Sequence, residues 1–211
     1  MRFALLAGLY FFCLLFGYFM LRPLRDAMGV ERGIDSLRVL FLIGLGVMVV
    51  ANLAFGFIAS RLPRRVFVPL VYWFAIACLA GFLGVLLVAG EEPPGWVGPT
   101  FYVWLSVFNL FAVSVFWAFM ADLFTLEQSK RLFGFIAVGG TAGAICGSAW
   151  TGVLAERIGD VGLFAGAIGL IMCAGVLAMV LGRHAGRPGG AATDAEAGDR
   201  GEPGPIGGVG W

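Results

Sequence analysis

Apolar stretches near or above the roughly 20 residues that an α-helix needs to cross a ~30 Å hydrocarbon core fill this chain almost to residue 182. They cover residues 3–30, 37–59, 66–90, 97–121, 132–155 and 161–182. Lipid offers backbone N–H and C=O groups no water, so only helices or a closed barrel can span it, and these runs lack the alternation of barrel strands. The expected fold is therefore an all-α membrane protein with six transmembrane helices in residues 1–182. Composition agrees: the chain is 60% hydrophobic and 13% charged, where soluble domains carry about 25% charge. The connections are short, so successive helices should be antiparallel neighbours.

After Gly182 the pattern stops. Residues 183–211 are rich in Gly, Pro and Ala with scattered acids, cannot bury a core, and are expected to form a disordered cytoplasmic tail or linker. A linker joins two things, which suggests either a half-size unit that pairs with another copy or a second six-helix half, or a fragment of a longer carrier. The first apolar run is too long for a signal-peptide core and no A-x-A site follows it, so it reads as a retained span.

Several functions are excluded by what is missing. The net charge is +1 with no basic patch able to neutralise many phosphates, so nucleic acid is not an expected partner. The single histidine, His184, lies outside the spans, and no H-E-x-x-H, Walker loop or G-x-S-x-G elbow is present. No enzyme, metal site or cofactor is expected. Cys13, Cys78, Cys146 and Cys173 each fall within an apolar run, without C-x-x-C spacing, and read as small packing residues.

Orientation follows from Lys and Arg in the loops. With the N-terminus inside, the cytoplasmic side receives Arg2, Arg61, Arg64, Arg65, Lys130, Arg131, Arg183 and Arg187; the outer side receives Arg32, Arg38 and Arg157, plus Arg22 and Arg25 if those are not in the cavity, and its 91–96 loop carries Glu91 and Glu92 and no base. The positive-inside rule then favours both termini cytoplasmic.

The most informative charges are Arg22, Arg25 and Asp26, which follow the apolar residues Phe3 to Leu21. If the first helix continues, Arg22 lies over Arg25 and Asp26 on one face, Pro23 introduces a kink, and the cluster sits at membrane depth. Ionisable groups there cost about 2.5–3.5 kcal/mol each on insertion scales and face a cavity or a partner. If the helix ends at Leu21, they are loop charges. Asn52 and Asn109 are lone mid-span amides, suited either to interhelical hydrogen bonds or to lining a cavity.

Three further segments carry patterns. Gly56-Phe57-Ile58-Ala59-Ser60-Arg61-Leu62-Pro63-Arg64-Arg65 joins spans two and three. Phe116-Trp117-Ala118-Phe119 closes span four, and Glu127-Gln128-Ser129-Lys130-Arg131-Leu132-Phe133-Gly134 follows, with Asp122 between them. Asp122, Glu127, Lys130 and Arg131 suit a cytoplasmic ion-pair network better than a coupling-ion site. Gly139, Gly143 and Gly147 form two overlapping G-x-x-x-G steps on one face, which permit close backbone approach; they suit tight packing or a sliding contact.

The 56–65 loop resembles the cytoplasmic signature of the major facilitator superfamily, Gly-x-x-x-Asp-Arg-x-Gly-Arg-Arg, matching at Gly56, Arg61, Arg64 and Arg65 and departing at Ser60 and Pro63. Residues 116–147, together with Leu21-Arg22-Pro23-Leu24-Arg25-Asp26, are similar to the bacterial and plastid nucleotide transporter family, the ATP/ADP translocases and their bacterial relatives. The resemblance covers about residues 9–155. It implies the N-terminal six-helix half of a facilitator-type fold, with substrate held near the midplane and exposed alternately to either side. It implies an anionic small-molecule cargo, with nucleotides among the candidates. Arg25 would take the position of a substrate-contacting lysine, with Arg22, Asp26 and Asn109 beside it, and the 56–65 loop would latch one access state. Leu105 stands near where the nucleotide carriers have a glutamate, which narrows the expected cargo from nucleotide to anion. The rival expectations are a carrier for another organic anion or a lipid, and a non-transporting membrane protein that binds or regulates a partner.

Overall fold

The computed structural model describes residues 2–30, 34–61, 64–90, 93–124 and 126–185, with a few side chains near helix ends outside that description, those of Arg64 and Arg65 among them. All five elements are helices: α1 (Arg2–Val30), α2 (Ile34–Arg61), α3 (Arg64–Ala89), α4 (Val97–Leu123) and α5 (Leu126–Ala185). No strand occurs among the described residues, and all five helices are long and apolar enough to cross a membrane. This is the architecture of an integral membrane protein.

The first four helices begin and end within a few residues of the first four apolar stretches. The fifth and sixth differ: the loop expected between 155 and 161 is absent, and the 60 residues of α5 are interrupted only at Gly159, with φ 61° and ψ −176°. A straight helix of that length would measure about 90 Å, three times the hydrocarbon thickness. The backbone at Gly159 lies in a region that residues with a Cβ essentially do not occupy. A single glycine therefore re-aims the chain where a loop was expected. The tail expected over 183–211 overlaps the end of α5 at 183–185 and otherwise lies outside the described residues.

Both arms of α5, residues 126–158 and 160–185, pack on α1. On the first arm, Gly139, Gly143 and Gly147 meet the backbone of Gly8, Phe12 and Phe16 in that order. Numbers rise together, so the two run parallel. On the second arm, Gly17 faces Ala167, Leu170 and Ile171, and the Cys13 and Cys173 sulfurs lie 3.9 Å apart. Here numbers rise in opposition, so the arm runs antiparallel to α1. The close approach on the first arm is direct: a Cβ on Gly139 or Gly147 would stand 2.6 Å from the carbonyl oxygen of Gly8 or Phe16. Thr151, one turn on, continues the stripe, and its buried hydroxyl donates to the Met20 carbonyl at 2.9 Å. Lipid tails are as apolar as leucine, so close packing and such bonds hold helices together here, rather than escape from water.

Aromatic rings tie α3 and α4 into this centre. Tyr10 is fully buried and its hydroxyl is hydrogen-bonded to that of Tyr72, while Phe11 stacks on Phe116 with ring centroids 4.1 Å apart. Phe82, Phe101 and Phe164 join α3, α4 and the second arm of α5. Helix α2 is the outlier. It is largely exposed and rests on α4 through Phe55 and Phe111, stacked at 4.5 Å.

Candidate functional site

Helix α1 runs unbroken through Pro23 to Val30, so the charged cluster is helical and does not form a loop. Proline at 23 has no N–H to donate, but the helix continues around it, and Arg22, Arg25 and Asp26 project from its last turns. Their environments differ. Arg25 turns inward and its side chain is only 14% exposed, whereas those of Arg22 and Asp26 are each 49% exposed.

The Arg25 guanidinium is fixed from three directions. Its Nε and Nη2 donate to Asp26 Oδ1 at 2.9 and 2.5 Å, its Nη1 donates to Ser106 Oγ at 3.1 Å, and its Cζ sits 5.0 Å from the centre of the Tyr102 ring. Ser106 is itself positioned by donating to the Tyr102 carbonyl at 2.8 Å, one turn back on α4. A guanidinium has five N–H groups. The three bonds among the described residues leave one N–H on each of Nη1 and Nη2, charged donors of the kind that a carboxylate or a phosphate accepts.

Those groups line a cavity of about 240 Å³. Tyr18 and Arg25 face it from α1, and Tyr102, Ser106 and Asn109 from α4. Phe41, Gly44, Leu45 and Met48 form its α2 wall. The spacing explains the convergence: 18 and 25 are two turns apart, 102, 106 and 109 follow i, i+4, i+7, and 41, 44, 45 and 48 make one helical face. The result is a polar stripe on two helices facing an apolar wall on a third. Among the described residues, two guanidinium groups and one carboxylate give this cluster a net positive charge of one.

Of the substrate residues expected from sequence, Arg25 and Asn109 line the cavity and Asp26 holds Arg25 from its edge. Arg22 does not line the cavity and lies 4.0 Å from Asp26 and over the Phe19 ring at 5.3 Å. Asn52 is exposed and does not line this cavity. Sequence pattern does not single out Tyr18 or Tyr102. The signal for Tyr102 is a tyrosine four residues before Ser106 and seven before Asn109, within an apolar span. Leu105 points the other way and is fully buried.

The other expected groups lie away from this cavity. Arg61 closes α2, exposed, with its Cζ 4.1 Å from the centre of the Phe57 ring. A Cβ at Gly56 would meet nothing within 4 Å. Arg64 and Arg65 open α3, with side chains outside the described set. Asp122 lies in the last turn of α4, and Glu127, Lys130 and Arg131 are exposed on the first turns of α5. Glu127 stands three and four residues before the two bases, on one face of the helix. Among the described residues no group of three or more His, Cys, Asp or Glu is placed to hold a metal.

Comparison of the chain with protein-family models, with curated proteins and with solved structures finds no match.

Proposed function

We propose that this chain forms one half of a facilitator-type secondary carrier that moves a small anion by alternating access, and that Arg25 is its anion-binding group. The observation that carries this reading is the inward guanidinium. A cation on a membrane-spanning helix is expensive to keep, yet here it is largely enclosed, fixed by Asp26, Ser106 and Tyr102, and lines a cavity with two N–H groups unbonded among the described residues.

In this reading the two arms of α5 are two crossings, which makes six in all and puts both termini on the cytoplasmic side of a bacterial inner membrane. The exposed face of α2 offers a surface for the second half or another copy. Arg61, with Arg64 and Arg65, latches one access state, and Asp122, Glu127, Lys130 and Arg131 form a charged cluster on the same side. Nucleotides remain within the cargo class, alongside organic anions such as dicarboxylates.

The test is uptake by proteoliposomes, with ATP, ADP and a dicarboxylate as labelled substrates and as competitors. Arg25→Gln is expected to abolish uptake of the anion that the wild type carries, at unchanged protein yield, and Arg25→Lys to retain part of it, since an ammonium keeps the charge but loses the planar fork. Unchanged uptake by Arg25→Gln would remove Arg25 from the mechanism. A second reading, a non-transporting protein that binds a partner, rests on the exposure of α2; it predicts no flux and a stable complex on mild detergent extraction.

A further inference from the structure

A second cavity, separate from the Arg25 site, lies between α2, α3 and α4 and measures about 560 Å³. Its lining is apolar throughout. Val47, Ala51, Ala54 and Ile58 form one wall on α2, Phe67, Leu70 and Phe74 the facing wall on α3, and Trp104, Phe108 and Phe111 the floor on α4. Phe55 and Phe67 touch at one end, with ring centroids 5.1 Å apart, close to where α2 passes into α3. Beyond that contact α2 and α3 each pack on α4 rather than on one another, so the space between them is a groove along the helices.

Two features identify what fits. The α2 wall extends from Val47 to Ile58, twelve residues, whose eleven rises of 1.5 Å make about 16 Å. Half of a ~30 Å hydrocarbon core is ~15 Å, so the groove is one leaflet deep. A positive charge stands just past the lining: Arg61 follows Ile58 by one turn and Ala54 by two, which keeps it on the same side of α2, and it is exposed, with its guanidinium against the Phe57 ring. An apolar slot of leaflet depth beneath a cation matches a lipid in which one acyl chain hangs from an anionic phosphate.

We propose that this groove binds one anionic phospholipid, with an acyl chain between α2 and α3 and its headgroup phosphate on Arg61. The lipid completes the packing of α2, which the protein alone leaves largely exposed. Bilayer lipids on a smooth helical surface would be held without regard to headgroup; this site distinguishes them.

The experiment is native mass spectrometry of the full chain released from detergent micelles, titrated with phosphatidylglycerol or phosphatidylcholine of equal chain length. The wild type is expected to retain one phosphatidylglycerol at least fivefold more than phosphatidylcholine. Arg61→Gln should bring the two lipids to parity, and Ala54→Phe, which fills the groove, should lower retention of both. Thermal unfolding adds a second readout: phosphatidylglycerol should raise the midpoint of the wild type and not that of Ala54→Phe. Equal retention of the two lipids by the wild type, or undiminished retention by Ala54→Phe, overturns the proposal. So does a dimer that Ala54→Phe disperses, since the groove would then belong to a second copy.

Discussion

Arg25 and Asp26 are adjacent in sequence, yet one side chain is nearly enclosed and the other half exposed. This asymmetry separates their roles. The Asp26 carboxylate is screened by solvent, so its pairing with Arg25 adds little to folding, about 0–1 kcal/mol as for other exposed ion pairs. Asp26→Asn should therefore leave the thermal unfolding midpoint in detergent nearly unchanged, a shift worth less than about 1 kcal/mol. What the carboxylate does supply is direction: it engages Nε and one Nη, which fixes the plane of a guanidinium that lines the cavity. A large loss of stability in Asp26→Asn would instead make the cluster a structural anchor. Tyr102 stacks against the same guanidinium, an interaction worth about 0.5–1 kcal/mol where exposed and about 2 where desolvated.

At the scale of elements, the contact between α1 and the first arm of α5 is the tightest in the molecule. Gly139, Gly143, Gly147 and Thr151 recur every four residues and meet carbonyl-bearing turns of α1 at the same interval. A methyl group at Gly143 would collide with the Phe12 backbone, which a rotamer change cannot relieve. Gly143→Ala should force the helices apart and destabilise by about 1–3 kcal/mol, the usual range for overpacking. On the second arm, a methyl group at Gly169 would meet nothing within 4 Å, so Gly169→Ala should stabilise by about 0.5–1 kcal/mol through helix propensity alone. Thermal unfolding of the two variants side by side tests this, and the same sign for both would refute the packing account. The glycine spacing is legible in sequence. Thr151 is not, although it stands at the next position of the same stripe, because a buried hydroxyl looks like any polar residue until its acceptor is seen.

At the scale of the whole molecule, α1 is the hub, packed against both arms of α5 and against α4 and joined to α3 through Tyr10 and Tyr72, while α2 is the least buried of the helices. The break at Gly159 gives the chain its return: Met20 of α1 meets Thr151 of one arm and Gly166 of the other. If each arm crosses the bilayer, residues near 2 and 183 lie on the same side. In a background with the four cysteines replaced, single cysteines at Arg2 and Arg183 should react with a membrane-impermeant maleimide from the same face of oriented vesicles. Labelling from opposite faces would mean that the helices make an odd number of crossings.

Sequence alone determined the solvent, the element type and most of the helix limits, because hydrocarbon forbids unsatisfied backbone and about twenty apolar residues leave few alternatives to a helix. It also marked Arg25, Asp26 and Asn109, since charge and amides are conspicuous in apolar spans. Tertiary structure decided which of them meet. Arg25 turns inward and Arg22 outward because α4 presents Tyr102 and Ser106 to only one of them, and the cavity exists only where α2 supplies its third wall. The same holds for the turn at Gly159 and for the groove beside α2: both depend on distances between segments far apart in the chain, which local pattern does not encode.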